Sequence, residues 1–273
     1  MKVFLYAEGD SFLHRLNPLT KLGAAVFLLF VLTVVSDPIT PLVLIGVIVI
    51  TLCWLGRVRP TDLARILLPA AILGFGIIWT TALFYLPSPG SSLRTLVAWG
   101  PIDVSDQGLA YALTIFLRLQ GFLAASLLFV LTTDPTDVVQ ALIQKLRLSY
   151  RFGYGTLAAY NFVPRLESEL ATIQAAHRIR GVDDRGGPVG AMRRYAGYLV
   201  PLLASAVRRA DRVALAMESR GFGAFPTRTY YRRSTFSAAD IVFGVGTLAV
   251  VIGIVAALQL LGWLGQLVPP FLQ

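Results

Sequence analysis

The sequence predicts an all-α integral membrane protein, with about five transmembrane helices and a set of long cytoplasmic amphipathic helices that cross each other. Three observations lead there. Of 273 residues 56% are hydrophobic and only 14% charged, with a mean hydropathy of +0.69, too apolar for an ordinary soluble domain. Sixteen of the 24 Lys and Arg lie between Thr132 and Ser237, against eight of the 15 acids, so most of the net +9 belongs to one segment. Within that segment apolar residues recur at alternating spacings of four and three, the period of one helix face.

In chain order, Met1 to Lys21 reads as a short basic leader with no long apolar run, unlike a cleavable signal. Leu22–Val35 and Pro41–Leu55 are the first two apolar runs, both short against the roughly 20 residues a bilayer needs. They are separated by the turn Ser36-Asp37-Pro38. Arg57, Arg59 and Arg65 precede a third run, Ile66–Leu86, and Pro87–Gln107 is a polar loop whose only cation is Arg94. Gly108–Leu131 is the fourth span and Ala238–Leu264 the fifth. Lys and Arg are retained on the cytoplasmic side, and their alternation between loops puts the N-terminus inside and the C-terminus outside. The chain therefore divides into 1–131 (leader and four spans), 132–237 (cytoplasmic helical region) and 238–273 (last span).

The cytoplasmic region opens with Asp134-Pro135, a cap followed by proline at the first helical position. The helix it starts presents Val138, Leu142 and Leu146 on one face. Further on, Ala159, Val163, Leu166, Leu170, Ile173 and His177 form one helical stripe. Adding forty to each number gives a second, Leu199, Leu203, Ala206, Ala210, Val213 and Met217. The stripes end at Ile179-Arg180-Gly181 and Ser219-Arg220-Gly221. Arg-Gly is an ordinary helix ending, since glycine tolerates the left-handed cap and a cation suits the negative end of the macrodipole. Two copies in one register, each at the tip of an apolar stripe, point further, to a paired docking device. An arginine there offers a planar fork suited to a carboxylate, and the small neighbours let another surface approach. Each stripe needs cover, which the sister helix supplies if the two cross and pack.

Catalytic groupings are absent from the pattern: no paired carboxylates in the spans, no phosphate loop ending in Lys-Ser/Thr, no serine-histidine motif. Cys53 is the only cysteine, and His14 and His177 stand far apart without companion ligands, which argues against a disulfide or a metal site. Arg118 sits near the middle of the fourth span, where a charge is either functional or tied to carbonyls of its own bundle. A self-sufficient ion-coupled carrier that binds its substrate through Arg118 is the competing class of reading, and a lipid-directed membrane enzyme a third.

Several stretches together resemble the transmembrane T component of energy-coupling factor (ECF) transporters, the EcfT/CbiQ family. They are Asp10-Ser11-Phe12-Leu13-His14-Arg15-Leu16-Asn17-Pro18-Leu19-Thr20-Lys21, Leu131-Thr132-Thr133-Asp134-Pro135, Phe162-Val163-Pro164-Arg165-Leu166, and the two Arg-Gly tips with Ala206-Val207-Arg208-Arg209-Ala210-Asp211 before the second. The resemblance implies a non-catalytic scaffold in a bacterial cell membrane. Its cytoplasmic helices would be coupling helices whose tips, Ile179, Arg180, Gly181, Ser219, Arg220 and Gly221, contact two ABC ATPase subunits. Those subunits would bind the ATP and Mg; the chain itself needs no cofactor. A small membrane substrate-binding (S) subunit would be the other partner, with surrounding lipid and no nucleic acid. The cargo would be a vitamin, a vitamin precursor, cobalt or nickel. Ile179 departs from the family's usual small residue.

Overall fold

The computed structural model describes residues 11–84, 95–99, 102–181, 188–225, 229–230 and 234–261. The leader before Ser11, most of the Pro87–Gly100 stretch, the linker at 182–187, part of the basic stretch near Arg233 and the expected end of the fifth span lie outside them. The chain forms two compact units, one holding residues up to Val138 and from Thr235 on, the other residues 139–234.

The first unit contains α1 (Phe12–Arg15), α2 (Pro18–Val34), α3 (Ile39–Trp54), α4 (Pro60–Leu83), α5 (Asp106–Thr132), the start of α6 (Pro135–Lys145), and α9 (Ala238–Leu260). It is an all-α membrane fold, as the composition predicts. Three of its helices, α4, α5 and α9, are long and apolar enough to cross a bilayer; α2 and α3, with 17 and 16 residues, are shorter. At 1.5 Å per residue these two reach about 26 and 24 Å, against a hydrocarbon core of about 30 Å. α4 begins earlier than the hydropathy suggested, at Pro60 with proline in the first turn, so Arg65 lies inside the helix and pairs on the surface with Asp62. One stretch departs from the helical reading. Within the loop expected at Pro87–Gln107, β1 (Thr95–Trp99) and β2 (Ile102–Ser105) form an antiparallel hairpin, Ala98 opposite Asp103.

α5 is the central helix, packed against α2, α3 and α4, while α9 lies against α2 and α3. Leu28, Leu32, Leu44, Ile48, Leu52, Ala124, Ala125, Leu128, Leu131 and Val251 make the core. Small residues on α5 let α2 come close: a methyl group at Gly121 would sit 3.0 Å from Leu32 Cδ1. By contrast Leu68, Ile72, Leu73, Phe75 and Trp79 of α4, and Ile241, Val242, Val245 and Ile252 of α9, are exposed. These are faces for lipid or for other protein.

Two cations fix α2 against α5. Lys21, on the first turn of α2 and only 1% exposed, donates from Nζ to the Thr132 carbonyl at the C-terminus of α5, at 2.7 Å. Arg118, in the middle of α5, donates from Nη2 to the carbonyl of Val35, the C-cap of α2. Lys21 to Val35 and Arg118 to Thr132 are both fourteen-residue steps, so the helices run antiparallel over about 21 Å in one register. The α2 C-terminus thus ends beside the middle of α5. There the turn into α3 is held by buried Asp37, whose Oδ2 accepts from Thr40 N and Oγ1, both at 2.8 Å.

In the second unit the end of α6 joins α7 (Tyr150–Ile179) and α8 (Pro188–Glu218). The start of α6 is as expected, with Asp134 Oδ1 accepting from Thr136 N at 2.8 Å. Its packing face is not: Ala141 and Ile143 are buried, Leu146 is 61% exposed, and Ile143 with Val139 fills the space above Gly153 of α7. α7 and α8 pack on each other in opposing senses, since Glu169 meets Arg209 while the later His177 meets the earlier Tyr198. The contacting side of α8 carries Tyr198, Leu202, Ala206, Arg209, Val213 and Met217. The predicted stripe was half right, because Leu199 and Leu203 are 53% and 61% exposed and the true face is rotated toward Tyr198 and Leu202.

Replacing Arg118 by Leu removes the donor to Val35 and is expected to cost about 1.5–3 kcal/mol, the worth of a hydrogen bond to a charged group. A thermal unfolding scan in detergent would show it as a lowered Tm, with Arg118→Lys retaining part of the difference.

Candidate functional site

Each tip is built by the way its helix stops. At the end of α8, Phe222 N bonds to Met217 O at 3.0 Å and Gly221 N to Glu218 O at 2.9 Å, with Gly221 at φ +72°. This is the paired 6→1 and 5→2 arrangement that closes a helix on a left-handed glycine. α7 ends alike: Gly181 has the same φ of +72°, and its N–H bonds to Arg178 O at 3.1 Å. Arg180 and Arg220 therefore occupy the same place, the last residue before the left-handed turn. Both are exposed, and among the described residues neither guanidinium has a hydrogen-bond or ion-pair partner. Ile179 is 88% exposed, and Ser219 beside Arg220 is exposed as well.

The glycines are accounted for by φ. A Cβ added to Gly181 or Gly221 would meet nothing within 4 Å among the described residues, and the backbone angle demands the residue. The second tip is braced from behind. Phe222 stacks edge-on against Tyr150 and Tyr154, Tyr150 Oη donates to Phe225 O at 2.7 Å, and Arg151 donates to Gly223 O at 2.7 Å.

A second cluster, in the other unit, gathers residues the sequence reading left apart. Asp240 is 2% exposed and caps α9 through a reciprocal box with Ser237, its Oδ2 accepting from Ser237 N at 2.7 Å. Its Oδ1 accepts from Asn17 N at 2.6 Å, and Asn17 Oδ1 caps α2 by accepting from Leu19 N at 3.0 Å. Lys21 lies within electrostatic reach of Asp240 and Asp137. One buried knot thus ties the starts of α2 and α9 to the end of α5. Asn17 and Lys21 stood in the sequence as part of the basic leader and of the Asp10–Lys21 resemblance, without their partners, because Thr132 and Asp240 lie more than a hundred residues away. A signal was present all the same: an Asn-Pro helix start followed by a lysine one turn in, at the mouth of an apolar run.

Arg118 bonds to a main-chain carbonyl of its own bundle, which accounts for a charge at that depth without a substrate. Among the described residues no group of three or more His, Cys, Asp or Glu could hold a metal ion.

The family described as cobalt transport protein, CbiQ, matches residues 9–231, a stretch that takes in Asn17, Lys21 and both Arg-Gly tips. The chain belongs to the CbiQ/EcfT family. Among its relatives is the energy-coupling factor transporter transmembrane protein EcfT of Streptococcus thermophilus, 32% identical over 260 residues, covering 89% of this chain and 93% of the relative. The EcfT of Heliobacterium modesticaldum is 32% identical over 256 residues, covering 90% and 93%. The EcfT of Bacillus subtilis is 30% identical over 251 residues, covering 86% and 89%. As a CbiQ/EcfT protein, the chain is a membrane component of a transporter family; its tips carry exposed arginines, and its knot holds buried Lys21 and Asp240.

Gly221→Asn should preserve the second tip better than Gly221→Val, because Asn tolerates a left-handed backbone while a β-branched residue there is strained by about 1–2 kcal/mol. Hydrogen exchange at the amides of Gly221 and Phe222 reads the difference as faster exchange in the valine variant. In the knot, Lys21→Met is expected to lower the stability of the purified protein by about 1.5–3 kcal/mol, measured as a shift in denaturation midpoint.

Proposed function

We propose that this chain is the transmembrane scaffold and coupling subunit of an ECF-type ABC importer, which passes ATP-driven motion of two ATPase subunits to a small S subunit. The observation that carries the proposal is the pair of tips: two exposed arginines with no partner among the described residues, at equivalent helix ends, forty residues apart, on helices that pack on each other. Family membership and the names of the relatives support it.

Each part of the chain has a task in this reading. The guanidinium forks of Arg180 and Arg220 pair with acidic groups of the two ATPases, where a planar donor set binds a carboxylate through two parallel hydrogen bonds. Gly181 and Gly221 end the helices so that the forks stand at the tips, and Ile179 and Ser219 flank them at the contact. The chain carries no nucleotide-binding loop of its own, so ATP and Mg are bound by the partners and the chain is not itself an enzyme. α7 and α8, continuous helices of 30 and 31 residues with one interior proline each, act as the rods that carry the motion. The bare apolar side of α8, with Leu199, Leu203 and Val207, and the exposed faces of the membrane helices offer the S subunit its seat. The cargo, a vitamin, vitamin precursor or transition-metal ion, is chosen by that S subunit. The excess of cations in residues 132–237 sets this region on the cytoplasmic side of a bacterial cell membrane, with the N-terminus inside and the C-terminus outside.

The test is Arg180→Glu combined with Arg220→Glu in cells that express the whole transporter. Uptake and co-purification of the ATPases should both be lost, while the chain is still recovered from the membrane fraction. Normal co-purification with the double variant would overturn the proposal.

A further inference from the structure

Arg209 Nη2 donates to Glu169 Oε2 at 3.2 Å, an ion pair between α8 and α7. The two residues are related by the same shift of forty that relates Arg180 to Arg220. Arg180 lies eleven residues beyond Glu169 and Arg220 eleven beyond Arg209, so the pair is equally far from both tips along the chain. Because the helices run in opposing senses, the two arms of about 16 Å each point away from the pair, leaving the tips roughly 30–40 Å apart.

Half-buried apolar residues flank the pair along both helices: Leu166, Leu170 and Ile173 on α7, Leu202, Ala206 and Val213 on α8. Ridge-into-groove packing of such side chains confines the helices to a preferred crossing angle but leaves a scatter of about 15–20° that the apolar contact does not narrow. The ion pair is directional, since an Arg209 Nη2 N–H donates along a defined line to one carboxylate oxygen of Glu169. The side chains of Arg209 and Glu169 are 32% and 24% exposed, and a pair so placed adds little to overall stability. What it contributes is a fixed point. Arg209 Nε is buried with no hydrogen-bond partner among the described residues, so the inner end of the guanidinium lies within the contact.

We infer that Glu169 and Arg209 form the pivot of the two helices, the point that sets the angle between α7 and α8 and gives the two tips equal lever arms. The angle is a property of this chain alone, and its use in transport rests on the coupling function proposed above. Both residues are positioning residues; neither touches a partner in this scheme.

The angle can be read directly. With Cys53 replaced by Ser, Ile179→Cys and Ser219→Cys carry nitroxide labels on the chain in lipid nanodiscs, and pulsed dipolar spectroscopy gives the tip-to-tip distance distribution. A single narrow peak is expected. Glu169→Gln and Arg209→Glu should each destroy its narrowness, and the swapped double variant Glu169→Arg with Arg209→Glu should restore it. An unchanged width in the single variants, or a swap that stays broad, overturns the pivot. In the assembled transporter the single variants should keep their ATPases and continue hydrolysis while losing uptake, and the swap should regain uptake; uptake equal to wild type in the single variants also overturns it. A wild-type chain that recruits no ATPase, yet shows the narrow peak and its rescue by the swap, would remove the proposed function and leave the pivot standing.

Discussion

A main-chain carbonyl left open at a helix end is costly wherever water is excluded, and the membrane unit is framed by the way two such carbonyls are satisfied. Lys21 reaches from the start of α2 to the last carbonyl of α5, and Arg118 reaches from the middle of α5 to the last carbonyl of α2. Each helix supplies the cation that closes the other. The apolar seam between them, with Leu28 and Leu32 against Gly121, Ala124, Ala125 and Leu128, then falls into place in one alignment. α3 and α4 complete the bundle around α5, and α9 is brought in by the Asp240 link to Asn17. A charge at each of these places would be expensive alone; paired with a carbonyl or carboxylate it becomes a locating pin.

The parts of this arrangement that obey a local period were open to sequence reasoning. The apolar runs, the Asp134-Pro135 start of α6 and the Arg-Gly ends of α7 and α8 follow from composition, cap chemistry and the 3.6-residue repeat. The pins do not. Lys21 and Thr132 are 111 residues apart, and Asn17 and Asp240 are 223 apart, so no spacing rule connects them. The face of α8 was read one residue off at its start because Leu199 and Leu203 are as apolar as the residues that contact α7, and period alone cannot say which apolar positions meet a partner within the chain. The β1–β2 hairpin was hidden for a similar reason: Thr95–Trp99 and Ile102–Ser105 are too short to stand out from a loop.

The tips separate two influences that coincide in sequence. Glycine at 181 and 221 is dictated by a backbone angle, and arginine just before it suits the negative helix end; both belong to stopping a helix. What stopping a helix does not demand is that the guanidinium stay exposed, with no partner among the described residues, twice, in one register. The tips also differ. The second leans on Tyr150, Tyr154 and Arg151 through Phe222 and Gly223, which follow it.

The equal fourteen-residue steps between the two cation caps bear on how such a chain can change length. Adding or deleting one residue between Lys21 and Val35, or between Arg118 and Thr132, turns that side of the ladder by about 100° and carries one cap away from its carbonyl. Only matched changes on both sides keep both rungs. Insertions and deletions among natural variants should therefore collect in the 85–105 stretch and the 182–187 linker, and be scarce inside α2 and the second half of α5.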